Sequence, residues 1–484
     1  MPERGVAEVG TGLPMELLTS WQSARSTRSA MSIETPLAPH LRGRVIDSIH
    51  ENGPKLVEMT AEEVRELRRH PIGLRLEPIR YYWPALSHTE VRMPAPMAGG
   101  RPLPVQIVSA TTGAALGGAR VKAFTDFPGR AGATGTSDAA GMVLLDLGSG
   151  PVLLERLYIQ APEPGYWGAY FSPITIVPSQ VFQLRPLSFP FVDSMRHFFP
   201  TVDILGGAGV KVGVIDTGIG PHPDLSVTGG RNTVRGEPEG DWHDNGSGHG
   251  THVAGIIASK GSPAGVAGLA PAVELRSYRV YGVQGGPTTN YSIIKAIINA
   301  LDDGCDVINF SLTGDPANDE PLRSAMEDAR DRGVLIVAAA GNQYRTAVVN
   351  PTRYAYREGL VVSALGRTGT FPPGSYEESH VNSSPGGNDS NDFIADFTNI
   401  GDVSFVAPGV GVISSVPGGY APRSGTSMAC PVVSALAARV LSTSPNLQVM
   451  PRDRSRVTSW ITELSSRANS LGFPYACEGV GMPT

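Results

Sequence analysis

From Val210 to the C-terminus, short apolar runs alternate with segments of helical period. KVGVID, ELRSYRVYG, DVINFSL, VLIVAAAG and LVVSALG are near-continuous apolar stretches, the pattern of strands buried on both faces. Between them, YSIIKAIINALDDG and PLRSAMEDARDRG carry apolar residues on one face and end on a glycine, as helix C-caps do. This alternation predicts an α/β domain, a doubly wound parallel sheet with helices on both faces. Residues 104–186 read differently. VQIVSA, ARVKAFTDF, GMVLLDLG, ERLYIQA, WGAYFSPITIV and VFQLRPL are short and separated by turn residues such as Thr112-Gly113 and Ala140-Gly141, which predicts an all-β sandwich. Residues 42–82 read strand, helix, strand, with Thr60 as N-cap and Glu63 three residues on as its capping-box partner. Residues 1–40 have no sustained period and are expected to form a loose tail. The predicted organisation is therefore a tail (1–40), a small α+β unit (41–86), a sandwich (100–188), a linker over Leu187–Gly209 and an α/β domain (196–484).

Composition removes several classes of function. The 39 basic and 45 acidic residues give a net charge of -6, without the basic footprint of a nucleic-acid or membrane-surface binder. The longest apolar run, Val334 to Ala340, is far below the roughly 20 residues that span a bilayer. The N-terminus has no apolar core behind a basic start, so no signal peptide is expected, and the protein is expected to be cytoplasmic or exported by a non-classical route. The three cysteines, Cys305, Cys430 and Cys477, have no paired short spacing and read as neither a zinc site nor a disulfide framework.

Three segments carry chemistry. Asp216 ends the strand KVGVID and stands at the carboxyl edge of the sheet, where open α/β folds bind ligands; alone it reads better as a turn cap. GSGHGTHVAGIIAS places His249 and His252 at the start of a helix. A zincin motif needs histidines at i and i+4 with a glutamate between them, whereas these stand at i and i+3 without one, so no metal is assigned. GTSMACP, followed by Val433, Leu436, Ala437, Val440 and Leu441 at helical spacing, puts Ser427 at the amino end of a buried helix. Free backbone N–H groups and the helix dipole favour negative charge there, as an oxyanion site requires.

Together the three segments resemble the subtilisin-like serine proteases, or subtilases: DTG at Asp216, HGTHVAG at His249 and GTSMACP at Ser427, in the order Asp, His, Ser. The resemblance runs from about Val210 to the C-terminus, where FPYACEGVGM is similar to the family's closing strand. It implies a serine endopeptidase in which Ser427 is the nucleophile, His249 the general base and Asp216 the group that orients the imidazole. Asn342, in AAAGN, matches the family's oxyanion asparagine. INFSLTG matches the substrate-pairing segment, making Ser311, Leu312 and Gly314 candidates, with Gly285 and Gly286 as the opposite rail. Thr313 stands where the family often has glycine, which predicts a narrower or more polar pocket. Pro431 is followed by Val432 rather than the family's histidine, and HDNGSGHGTHVAG carries extra residues before its motif.

The resemblance calls for no cofactor; family members often carry structural calcium, and no oxygen-rich loop locates such a site here. Upstream, GPKLVEMTAEEVRELRRHPIGLRLEP resembles the distal part of the subtilase inhibitory prodomain, which implies a zymogen regulated or autoprocessed through its N-terminal region. ARVKAFTDF and SDAAGMVLL resemble carboxypeptidase regulatory-like sandwich domains. The expected partners are a protein or peptide substrate and an inhibitor or regulatory protein. A dedicated maturation protease, an exopeptidase and a catalytically silent scaffold stay open as alternatives, and the sequence does not choose the processing site.

Overall fold

The structure, a computed structural model, describes residues 15–21, 45–50, 53–68, 74–85, 91–94, 101–262, 265–314 and 317–484. The C-terminal domain is built on an eight-stranded sheet in the order Val227–Asn232, Glu274–Arg279, Lys211–Asp216, Val307–Phe310, Leu335–Ala339, Leu360–Arg367 and Asp392–Ile394, with Phe405–Pro408 also paired to Leu360–Arg367. All of these pairings are parallel except that of Asp392–Ile394. The period of two along each strand divides its side chains between two cores. Val212, Val214, Leu335, Val337 and Ala339 join one cluster with the helices His249–Ala258 and Thr426–Thr443. Ile215, Ile308, Ile336 and Ala338 join the other with Asn290–Asp302 and Glu320–Asp331. Continuous apolar runs are thus the sequence form of a sheet covered on both faces. The Thr426–Thr443 helix, long and apolar enough in composition to cross a membrane, has 83% of its span buried inside the protein.

Lys211–Asp216 lies between the second and third strands that follow it in the core, so the chain reverses its direction of winding there. Such a switch point opens a crevice beyond the carboxyl ends of the strands, and Asp216 stands at its edge.

Upstream, β1 (Met15–Trp21), β2 (Val45–Ser48), β3 (Lys55–Met59) and β4 (Leu74–Pro78) form an antiparallel sheet in the order β2-β3-β1-β4. This corrects the reading of residues 1–40 as a loose tail: β1 lies inside the sheet, with Leu17 and Leu18 buried, and the rest of residues 1–40 lies outside the described residues. Its partners are about 40 and 60 residues away, so no adjacent hairpin announces it. The helix Ala61–Arg68 begins on the predicted capping box: Glu63 Oε2 accepts the Thr60 N–H at 2.8 Å, and Thr60 Oγ1 accepts the Glu63 N–H at 3.4 Å. From this unit β5 (Tyr81–Pro84) runs onto the α/β domain.

Residues 103–184, with Met93–Pro94 added as the edge of the largest sheet, form sheets of three, five and two strands around one apolar core that includes Ile107, Val121, Leu157 and Phe182. The Leu187–Gly209 segment is more than a linker. It holds a short helix, Ser194–Phe198, whose N-cap Asp193 is buried and accepts the Ile413 N–H at 2.7 Å.

Candidate active site

Three elements converge at the switch-point crevice. Asp216, 2% exposed, accepts the Thr217 N–H at 2.7 Å and lies 2.6 Å from His249 Nδ1 through the same carboxylate oxygen. A carboxylate only accepts, so Nδ1 carries the proton and a neutral His249 presents a lone pair at Nε2. Nε2 is buried and has no hydrogen-bond partner among the described residues. The helix that carries His249 approaches the strand end because residue 250 is glycine: a Cβ there would stand 2.3 Å from the Gly218 carbonyl oxygen and 3.1 Å from Asp216 Cβ. The Gly250 N–H is held by Thr217 Oγ1 at 2.8 Å.

Ser427 is the second residue of the Thr426–Thr443 helix and fully buried. Asn342 follows the strand Leu335–Ala339 and is oriented by Thr426, whose N–H and hydroxyl both donate to Asn342 Oδ1, at 3.0 and 2.9 Å. That leaves the Asn342 amide free to donate elsewhere. The acceptor is the Ala85 carbonyl oxygen, which also receives the Ser427 hydroxyl at 2.7 Å.

Ala85 arrives there because β5 fills the crevice as an added strand. It pairs antiparallel with Leu312–Thr313 on one side (Leu312 opposite Pro84, Thr313 opposite Trp83). On the other side it pairs antiparallel with Thr288–Thr289 (Thr288 opposite Tyr82, Thr289 opposite Tyr81). The Ala85 N–H donates to the Ser311 carbonyl at 3.2 Å. Strand alternation exposes Tyr81 and Trp83 and buries Tyr82 completely. Tyr82 lies against Gly314, where a Cβ would come within 2.0 Å of its ring, and its hydroxyl donates to Asp319 Oδ2 at 2.7 Å. Asp319 is 1% exposed, and burial pushes its carboxyl above the usual range.

Ser311, Leu312 and Gly314 thus line the strand as the sequence places them, but Gly285 and Gly286 do not. Both have positive φ in a turn with nothing near their Cβ positions, and the opposite rail is Thr288–Thr289, displaced toward the Asn290–Asp302 helix. The rail was missed because a two-residue strand has no pattern of its own, while Gly-Gly is a conspicuous turn signal. Tyr82, Ala85 and Asp319 were also missed. The only hint of them was the aromatic run YYWPA at the end of the predicted strand.

Two other groups near the crevice are structural. His252 Nε2 donates to the Val412 and Ala421 carbonyls at 3.1 and 3.0 Å, and burial pushes its pKa well down, so it stays neutral. Cys430 is buried against Asn309 and Val337, and burial pushes its thiol up to about 12. A thiol so placed is a poor nucleophile.

A doubly wound sheet that brings a serine to a helix amino end, a carboxylate-held histidine and a carbonyl-binding asparagine to its switch point defines a serine peptidase. The comparisons agree. Residues 207–464 match the model of the Subtilase family. The chain is 39% identical over 260 residues to Subtilisin Savinase of Lederbergia lenta, covering 53% of this chain and 86% of that protein. It is 38% identical over 261 residues to Subtilisin DY of Bacillus licheniformis, covering 53% and 85%. To an alkaline protease of Shouchella clausii it is 39% identical over 260 residues, covering 53% and 60%. The chain belongs to the subtilase family, and it is a subtilisin-like serine endopeptidase whose substrates are proteins.

Proposed function

We propose that this endopeptidase is made as a zymogen and cuts its own Ala85–Leu86 bond. The observation that carries the reading is the Ala85 carbonyl oxygen, held by the Ser427 hydroxyl and the Asn342 amide at the end of a strand paired on both edges. Such pairing supplies affinity through the backbone and selectivity through alternate side chains.

In this reading Ser427 Oγ attacks the Ala85 carbonyl carbon while its proton passes to His249 Nε2. Asp216 holds the imidazole by Nδ1 and stabilises the imidazolium. The developing oxyanion is stabilised by the Asn342 amide. His249 then protonates the departing Leu86 amine, and water releases the Ala85 carboxyl group from Ser427. No cofactor enters any step. The severed residues 1–85 stay docked as an inhibitor through β5 and the β1–β4 unit. The Lys295–Asp47 ion pair at 3.0 Å also ties that unit to the Asn290–Asp302 helix.

N-terminal sequencing of the larger fragment, separated from residues 1–85 in denaturant, tests the reading: a chain beginning at Leu86 is expected, and a larger fragment beginning at any other residue rejects the assignment. For Asn342→Ala, loss of one preorganised donor lowers kcat about 100- to 1,000-fold. KM for a peptide substrate is expected to change little, and a variant with unimpaired kcat would remove Asn342 from the site.

Thr313 tests the pocket beside Ala85. Its hydroxyl accepts the Gln343 side-chain amide at 3.1 Å, tying the pairing rail to the segment that carries Asn342. Thr313→Gly removes that tie. It is expected to raise kcat/KM for Leu or Phe over Ala before the cut by about tenfold, the scale of a pocket gaining a methylene or two. A peptide library with unchanged preference would contradict this.

A further inference from the structure

The sandwich is seated on the peptidase rather than strung beside it. Trp167, 2% exposed, belongs to the same apolar cluster as the catalytic-domain residues Val410, Val412 and Phe371. The Gly165 N–H donates to the Tyr420 carbonyl at 3.0 Å, and the Tyr170 N–H to the Gly374 carbonyl at 2.9 Å. Glu163 takes Arg423 Nε and Nη2 at 3.0 and 2.5 Å, and Arg423 Nη2 also donates to the Ser247 carbonyl at 2.7 Å. A cut at Ala85 would remove none of these contacts.

Between the two domains lies a cavity of about 480 Å³. Its peptidase wall includes Ser247, two residues before His249, and Ser424, three before Ser427; its sandwich wall includes Arg120, Gln160 and Glu163. The segment before the scissile bond lies between Thr288–Thr289 and Leu312–Thr313, and none of these residues lines the cavity. Seven residues after Ala85 the Arg92 N–H donates to the Arg130 carbonyl at 2.9 Å, at the end of the Arg120–Asp126 and Ala131–Thr136 strand pair away from Arg120. Charge on the lining is uneven. Glu163 and Arg423 neutralise each other, and Glu377 is 3% exposed, its carboxyl pushed up by burial. Arg120 is exposed and has no ion pair among the described residues.

Resting on the cut proposed above, the geometry points to the sandwich as a permanent wall of the cleft on the leaving-group side, where Arg120 favours acidic side chains in the polypeptide that follows the scissile bond. The sandwich is then part of the processed enzyme and selects substrates on the side where the paired rails do not reach. The charge of Arg120 acts through solvent, so the preference weakens as salt shortens the screening length.

The test uses the processed enzyme freed of residues 1–85 and two kinds of substrate that share Tyr-Trp-Pro-Ala before the cut. One is a chromogenic anilide with nothing beyond alanine; the other is a set of internally quenched peptides extended by four residues carrying either Glu or Lys. Wild type is expected to favour the Glu over the Lys peptides in kcat/KM by about two- to fivefold at low salt, the scale of an exposed ion pair. Arg120→Glu is expected to reverse that order, and the preference of each enzyme is expected to fade at high salt. An unchanged Glu-to-Lys ratio in Arg120→Glu, with the anilide still hydrolysed, overturns the sandwich wall and leaves the proposed function standing. A preference that ignores salt assigns the effect to shape and overturns the role of Arg120. A wild type that fails to hydrolyse the anilide overturns the underlying reading and this one with it.

Discussion

Ser427→Ala is expected to remain a full chain of 484 residues, whereas the wild type expressed and purified beside it separates into residues 1–85 and a chain beginning at Leu86. Removing the nucleophile of such a triad costs on the order of 10⁶ in turnover, so processing that takes minutes in the wild type would take years in the variant. Among the described residues no neighbouring group stands ready to replace it. Cys430, three residues on, is a buried thiol with its pKa pushed up to about 12, and Ser311 Oγ is committed to the Ser427 backbone carbonyl at 3.2 Å. The fold should survive, because the Ser427 hydroxyl donates only within the occupied cleft, to the Ala85 and Ser311 carbonyls. Intact mass and N-terminal sequencing read the outcome directly. A Ser427→Ala protein that still separates after Ala85 on incubation in pure form would show that the bond is cut by something other than this serine.

The second large effect concerns Tyr82. A heptapeptide of the sequence IRYYWPA, residues 79–85, should compete with substrate for the processed enzyme. Its Tyr82→Ala counterpart should bind about 100- to 4,000-fold more weakly. Truncating a fully buried aromatic side chain costs about 3–5 kcal/mol, and each 1.4 kcal/mol is tenfold. Tyr82→Phe isolates the hydroxyl. The ring still fills the space against Gly314, but Asp319 Oδ2 loses its donor inside a buried pocket, which costs about 1–3 kcal/mol, or roughly 5- to 140-fold. Gly314→Val in the enzyme closes the same pocket from the other side, since even its Cβ would stand within 2.0 Å of the ring. Inhibition constants for the three peptides measure all of this. Equal constants for the Tyr and Phe peptides would remove Asp319 from recognition, and equal constants for all three would place the affinity in the backbone pairing alone.

The legible part of the site was the part built from consecutive residues. Asp216, His249, Ser427 and Asn342 each sit at a strand end or a helix start, and the positions where an apolar run breaks into DTG, HGTH, GTSM or AAAGN can be read directly. The five core strands were legible because burial on both faces demands unbroken apolar runs. Strands that lack that burden were not. Val227–Asn232 reads VTGGRN and lies at the sheet edge, Ala131–Thr136 reads AGATGT, and the two-residue Thr288–Thr289 rail is too short to carry a period. Choosing Gly285 and Gly286 for that rail mistook a turn signal for a pairing one. β1 was missed for the opposite reason: its pattern is that of a strand, but its partners lie tens of residues away.

By itself, the sequence determined the chemistry and the scaffold: a triad in the order Asp, His, Ser on a doubly wound sheet, with a capped helical unit and a β-rich unit before it. Those features depend on local spacing, on side-chain period and on which residue ends an element. Only the tertiary structure decided where the N-terminal region meets the cleft. The register that puts Ala85 under Ser427 and Asn342, the burial of Tyr82 against Gly314 and Asp319, and the seat of Trp167 in the peptidase core all join residues more than 200 positions apart. Such contacts leave no periodic trace along the chain, because they are fixed by the shapes of surfaces that exist only after each unit has folded.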